Sequence, residues 1–159
     1  MKARLIASVV LAASVVLGTS ACNLVAPQAT TKHYDPSEGV SGRVGDMKIR
    51  NAVIIVNEDG SDGNLIASVT NGGGSGSLSI QFGEGADGTV SETIPAESTV
   101  SFGTAADEPI LLAGIDADAG SLVEVFFQYG DETGVELLVP VLDGALEEYS
   151  DFIPTAPAE

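Results

Sequence analysis

Residues 77–82, with the sequence Ser-Leu-Ser-Ile-Gln-Phe, alternate polar and large apolar side chains without a break. Successive side chains of a β-strand point to opposite faces of its sheet, so this alternation predicts a strand with one buried face and one exposed face. Residues 123–129 and 135–141 repeat the alternation, with Val, Leu and aromatic side chains on one face. Three segments of this kind favour an all-β domain.

Further strands are predicted on both sides of these three, where short apolar runs are cut by Gly, Asp and Asn clusters. They lie at residues 47–57, 64–71, 89–94, 98–103 and 109–115. About eight short strands joined by turn residues predict a two-sheet sandwich or a barrel. Helix-like sequence after the signal region is confined to residues 146–152, which suffice for one or two turns.

The composition excludes several classes of function. The 159 residues hold 6 Lys and Arg, 23 Asp and Glu, one Cys and one His, for a net charge of −17. One Cys rules out an intrachain disulfide or a Cys-based zinc cluster, and one His rules out a multi-histidine site. Nucleic-acid binding needs a basic surface, which this chain lacks. The acidic surface serves to repel neighbours, or else it recognises a basic envelope protein.

The N-terminus has the pattern of a secretory signal peptide. Lys2 and Arg4 precede an apolar run over residues 5–18, and the small residues 19–21 lead to Cys22. The run is too short to cross a hydrocarbon core of about 30 Å, which needs about 20 residues. A charged start, a short apolar middle and small residues before a cut predict export with removal of the leader.

Small residues followed at once by Cys22 resemble the bacterial lipobox. The resemblance implies that the Cys22 thiol receives a diacylglyceryl group and that the signal peptide, residues 1–21, is removed. Acyl chains such as palmitate would then anchor the chain to the extracytoplasmic face of the cell membrane, with residues 22–38 as a flexible tether. The alternative is an ordinary cut after Ala21, with Cys22 incidental.

The order of segments in the remaining chain resembles bacterial envelope copper chaperones of the PCuAC type. The segments that carry the likeness are residues 51–57, 65–69, 94–100, 109–115 and 119–127. The resemblance implies an Ig-like or cupredoxin-like β-sandwich. We place this domain at residues 39–143 and a C-terminal tail at 144–159.

The residues that bind copper in that family are missing from the matching positions. The family holds Cu(I) with His and Met, whose soft or borderline donors suit this ion. Where its ligand strand has a His-x-Met pair, this sequence has Ile110 and Leu112. Met47 is the only Met after the initiator, and His33 lies in the tether. The sequence therefore predicts the family fold with no metal and no cofactor.

Two other segments are candidate binding sites. Residues 57–63 come closest to a calcium loop, but Asp62 stands at the sixth position, where the loop needs Gly, and Ser68 stands where a bidentate Glu is needed. A solvated hairpin turn is the better interpretation. Residues 72–76 are rich in Gly but lack the Lys of a phosphate-binding loop and precede a strand, so a floppy connection is predicted.

Catalysis is not predicted. His33 lies in a tether that cannot hold it beside a nucleophile. We expect a non-enzymatic binding or accessory module anchored to the membrane through Cys22. The alternative is a metal-handling protein, either copper chaperone-like or using an acidic loop for a cation. The sequence does not identify the ligand, the partner or the oligomeric state.

Overall fold

A computed structural model describes residues 2–25, 34–83, 88–104, 106–107 and 109–154. Within the first helix, side chains are described as far as Val16. The chain divides into two compact units, Met1–Tyr34 and Asp35–Glu159.

The first unit contains one helix, α1 (Lys2–Val25), which includes the predicted signal peptide. The apolar stretch over residues 5–17, which is rich in Ala, Val and Leu and contains no Gly or Pro, suits this conformation. The backbone of Cys22 belongs to α1, but its side chain lies outside the described residues. In the described part of the chain, no helix combines the length and apolar character needed to cross a membrane.

The described residues of the second unit form nine strands and one short helix, so the predicted all-β fold is confirmed. These are β1 (Val40–Val44), β2 (Met47–Val56), β3 (Asp62–Asn71), β4 (Gly76–Phe82), β5 (Gly88–Ile94), β6 (Ser98–Phe102), β7 (Ile110–Ala113), β8 (Leu122–Tyr129), β9 (Val135–Leu142) and α2 (Glu147–Ser150). Eight strands match the predicted segments. The additional strand, β1, was not predicted because it is short and contains Gly42, and Gly is unfavourable inside a strand.

The strands form one nearly continuous path, β5-β4-β8-β9-β2-β3-β6, with β1 on β2 and β7 on β3. The pairs are antiparallel except for β2 and β9, which run parallel where Ile54 meets Val141. Because β9 pairs with β8 along most of its length and with β2 only at its end, it links the two layers of the sandwich.

The main core lies between these layers. The alternating segments place one face inside as predicted, with buried side chains that include Leu78, Ile80, Val125, Phe127 and Val139. All strand pairs and both apolar clusters of the second unit lie within residues 40–153. The compact unit Asp35–Glu159 therefore contains its own core, and we expect it to fold as an independent domain.

A second, smaller apolar cluster lies on the outer face of β2 and β3. The alternation along β2 is interrupted by a bulge between Arg50 and Val53, with Asn51 in the left-handed region at φ 52°. Beyond the bulge both faces of β2 are buried, which is the expected result of the unbroken apolar run over residues 52–56. The segment after β9 covers the outer face by packing Tyr149, Phe152 and Ile153 against it.

Candidate functional site

Strand β7 is the position at which the resemblance to copper chaperones would place metal ligands. Ile110 and Leu112 point into the main core and are 2% and 0% exposed. They pair with Leu65 and Gly63 of β3, so the backbone of this strand is also fixed. Neither hydrocarbon side chain can donate electrons to a metal, and neither reaches solvent. This part of β7 therefore contributes to folding.

Among the sulfur and imidazole side chains that the structure describes, Met47 lies far from β7. Met47 pairs with Asn71 at one end of β3, whereas Leu112 pairs with Gly63 at the other end. At a strand rise of about 3.3 Å per residue, the two positions are separated by roughly 25 Å along β3. Met47 is also 0% exposed and belongs to the core. The thioether cannot contribute to a site on β7.

His33 lies outside the described residues, as does the side chain of Cys22. Within the part of the chain that is described, no group of three or more His, Cys, Asp or Glu side chains is placed to hold a metal ion. Cu(I) prefers sulfur and imidazole donors, and in the described part of the chain Met47 is the one side chain of this kind.

The turn between β2 and β3 belongs to the candidate calcium loop, residues 57–63. Asp59 Oδ1 accepts hydrogen bonds from the backbone N–H of Ser61 at 3.1 Å and from its Oγ at 2.7 Å. The hydrogen bond from the Ser61 hydroxyl and then that from its backbone lower the pKa of Asp59. Asn57 bonds to the Asp62 N–H and to Ser61 Oγ. The polar groups of this loop therefore hold the hairpin turn itself.

A cleft of about 430 Å³ brings this turn together with two distant segments. Asp118 lies in the connection before β8, and Asp143 directly follows β9. The turn and the connection are tied by a hydrogen bond from the Ala117 N–H to the Gly60 carbonyl at 2.9 Å. No sequence pattern indicates that these segments meet, because the acidic residues are far apart along the chain. The result is an acidic, open cleft with Val56 and Ile153 among its apolar walls.

Hydrogen bonds fix the backbone of the glycine-rich segment 72–76, whereas the sequence predicted a flexible connection. Asn71 is 1% exposed, and its Nδ2 donates to the carbonyls of Gly74 at 2.8 Å and Pro95 at 3.0 Å. Its Oδ1 accepts from the N–H of Gly73 at 2.9 Å. One buried amide thus fixes the loop, and its donors and acceptors are used within the protein. The segment shows no cradle for a phosphate.

Comparison with solved structures gives the same fold class that the residue pattern indicated. The apo PmoF2 PCuAC domain superposes with a TM-score of 0.50 and 16% identity, over 65% of this chain and 94% of that one. The copper-bound PCuAC domain from PmoF2 gives 0.49 and 16%, over 65% and 97%. The apo PCuAC domain from PmoF1 gives 0.47 and 12%, over 65% and 98%.

At this level of sequence identity, the superposition establishes the fold alone. The predicted likeness to PCuAC copper-chaperone domains is thereby confirmed for the architecture of the β-domain. No protein-family model matches the sequence. Comparison with curated protein sequences also gives no match.

Proposed function

We propose that this chain is a cell-envelope lipoprotein whose β-domain is a non-enzymatic binding module without the copper ligands of the related chaperones. The observation that carries the proposal is the burial of Ile110 and Leu112 on β7 within a copper-chaperone type of fold. Burying an aliphatic side chain of this size contributes about 1.5–3 kcal/mol. On β7, the positions at which the resemblance would place copper ligands are occupied by side chains of the hydrophobic core.

The anchor is proposed from the N-terminal sequence. Two acyl chains on Cys22 would give stable attachment, because each buried CH₂ contributes about 0.8 kcal/mol and one chain alone is marginal. Residues 22–38 would let the domain act at a distance from the extracytoplasmic membrane surface. A binding or accessory role suits a domain with no His and no Cys in residues 35–159.

Copper binding is tested by equilibrium dialysis of residues 35–159 against Cu(I) under reducing conditions. We expect no stoichiometric uptake, because the positions on β7 are hydrocarbon and Met47 lies in the core. The PmoF2 PCuAC domain serves as the comparison protein. One Cu(I) bound per domain would refute the proposed loss of the metal site.

The same dialysis with Ca²⁺ tests the metal-handling alternative. We expect no stoichiometric binding, since Asn57 Oδ1 and Asp59 Oδ1 already accept hydrogen bonds within the turn. Saturable uptake of one Ca²⁺ that is lost in Asp59→Asn and kept in Glu148→Gln would establish the acidic-loop function instead. Each variant removes one negative charge, so a difference in Ca²⁺ uptake between them cannot come from the change in net charge.

The anchor is tested by comparing the full chain with its Cys22→Ala variant in a bacterial host that acylates exported proteins. We expect wild type in the membrane fraction, with an N-terminal peptide whose mass includes a diacylglyceryl group. Cys22→Ala is expected in soluble or unprocessed form, whereas Ser20→Ala is processed like wild type. An unmodified sulfur on the processed wild-type chain rules out the anchor.

A further inference from the structure

The outer face of β8 and β9 carries large aliphatic side chains in contact with solvent. Leu122 is 60% exposed and Leu138 is 52% exposed. The opposite face of the same strands is packed into the core by Val125, Phe127 and Val139. Each leucine therefore lies at a position where a half-buried strand normally has a polar residue.

The strand register makes these leucines neighbours. Glu124 lies opposite Leu138, and Leu122 lies opposite Pro140, so the two leucines are diagonal to one another. Diagonal neighbours on one sheet face are about 7–8 Å apart, which lets long side chains form one surface. Glu136 adjoins Leu138 two positions earlier on the same strand. The β8–β9 patch is defined as Leu122, Glu124, Glu136 and Leu138.

The aromatic ring of Phe126 extends this surface. Phe126 is opposite Glu136, and its ring lies over the backbone of Gly134, where an added Cβ would be only 2.1 Å from the ring. The glycine thus makes room for a half-buried aromatic side chain on the outer face. Aliphatic, acidic and aromatic groups are therefore continuous across the two strands.

Farther across this sheet, the outward face of β4 and β5 is polar. The outward positions of β4 and β5 carry Ser, Gln and Thr side chains, in register with one another. They are Ser77, Ser79, Gln81, Thr89, Ser91 and Thr93. An isolated exposed leucine is ordinary, whereas adjoining exposed leucines next to a half-buried aromatic ring form a continuous apolar surface, the kind of feature that binding sites use.

Charge selects the partner for this surface. Glu124 and Glu136 are diagonal neighbours within the β8–β9 patch, and no Lys or Arg follows Arg50 anywhere in the sequence. A second copy of this chain would bring carboxylates against carboxylates, which disfavours self-association. A partner with Lys or Arg beside large apolar side chains satisfies both components of the patch.

We propose that the β8–β9 patch docks a basic amphipathic helix of another protein. The apolar stripe of such a helix would cover Leu122 and Leu138, and its Lys or Arg side chains would reach Glu124 and Glu136. A sheet face is a standard surface for an amphipathic helix. The proposal rests on the binding role proposed above and is independent of the acyl anchor.

The test uses residues 35–159 and a labelled synthetic peptide of about 18 residues, long enough to form a helix. The peptide contains Leu at helical stripe spacing and Lys elsewhere, and binding is followed by fluorescence anisotropy at physiological salt. Leu138→Ser and Leu122→Ser are each expected to weaken binding about tenfold, as for central interface residues. Leu146→Ser, which alters another half-exposed leucine, is the matched control and is expected to leave binding unchanged.

The electrostatic component is tested with two variants that each lose one negative charge and so have the same net charge. Glu124→Gln is expected to weaken binding severalfold, whereas Glu148→Gln, at an exposed position on α2, leaves it unchanged. Both positions are exposed, so this pair keeps the test valid should either leucine variant fail to fold. A peptide with Glu in place of Lys is expected not to bind.

Several results would overturn the proposal. Equal weakening by patch and control variants would mean that the peptide senses only bulk charge. Leu138-dependent self-association in sedimentation would assign the patch to a second copy, and Leu138-dependent binding to phosphatidylcholine vesicles would assign it to a membrane. These measurements omit the first 34 residues and add no metal. A negative result would therefore contradict the docking proposal without bearing on the anchor or on the copper prediction.

Discussion

At the scale of the residue, Asn71 shows how one buried polar side chain organises a loop. Its amide joins the end of β3, the connection to β4 and the end of β5 through bonds to Gly74, Gly73 and Pro95. A buried polar group is stable only when its hydrogen bonds are made, and Asn71 uses both ends of its amide. The segment 72–76 is held for this reason.

Replacing Asn71 with Ala is expected to lower the free energy of unfolding by about 2–4 kcal/mol, because buried carbonyls lose their donor and the loop is released. Urea unfolding of residues 35–159 measures the change. Ser77→Ala, an exposed substitution on the neighbouring strand, is the control and is expected to have little effect. A loss below 0.5 kcal/mol, on the order of a surface substitution, would show that Asn71 does not hold the loop.

The role of Asn71 could not be predicted from the sequence. The sequence places an Asn before the five glycine and serine residues of segment 72–76, which is typical of an ordinary turn. What distinguishes this residue is the carbonyl of Pro95, which the fold brings to it from a distant strand end. By contrast, the burial of Leu78 and Ile80 follows from local alternation alone, and it was predicted correctly.

At the scale of the element, the segment after β9 is part of the packed domain. Phe152 and Tyr149 cover Val53, Ile55 and Ile66, and the carbonyl of Phe152 accepts a hydrogen bond from Asn64 Nδ2 at 2.9 Å. The sequence predicted only one or two helical turns here. The unbroken apolar run of β2 indicated burial on both faces, but it did not identify the segment that would cover the outer one.

Phe152→Ala is expected to lower the free energy of unfolding by about 1–3 kcal/mol, less than for a fully buried Phe because this side chain keeps some exposure. Thermal or urea unfolding measures it. Leu146→Ala, a half-exposed position of the same segment, is expected to change stability by less than about 0.5 kcal/mol. Equal stability of the two variants would mean that the segment is not packed in solution.

At the scale of the whole molecule, fold and function separate. The order of short strands and their turn residues was enough to predict a sandwich or barrel of β-strands, because backbone and core depend on patterns that the sequence displays. The PCuAC type of architecture was predicted from the resemblance of its segments to that family. The function of that architecture depends on a few side chains at set positions. The resemblance would place such side chains on β7 at Ile110 and Leu112, which are buried, and a shared fold does not by itself imply a shared chemistry.

The net charge of −17 is also a property of the whole chain, and it predicts an unusual response to salt. Carboxylates dominate the surface, and the ion pair between Arg43 and Asp46, at 3.9 Å between exposed side chains, contributes little. Raising NaCl from about 10 mM to about 150 mM shortens the Debye length from about 30 Å to about 8 Å. Screening then weakens repulsion more than attraction, and we expect the midpoint of thermal unfolding of residues 35–159 to rise by roughly 2–5 °C.

The identity of the salt separates screening from binding at the cleft beside Asp118 and Asp143. Pure screening depends on ionic strength, so CaCl₂ and MgCl₂ at matched ionic strength should give nearly equal midpoints. An additional rise with Ca²⁺ that disappears in Asp59→Asn would instead indicate a bound cation, because a ligand of the folded state stabilises it by mass action. A midpoint that falls with added NaCl would mean that attractive pairs outweigh repulsion, against the charge distribution found along this chain.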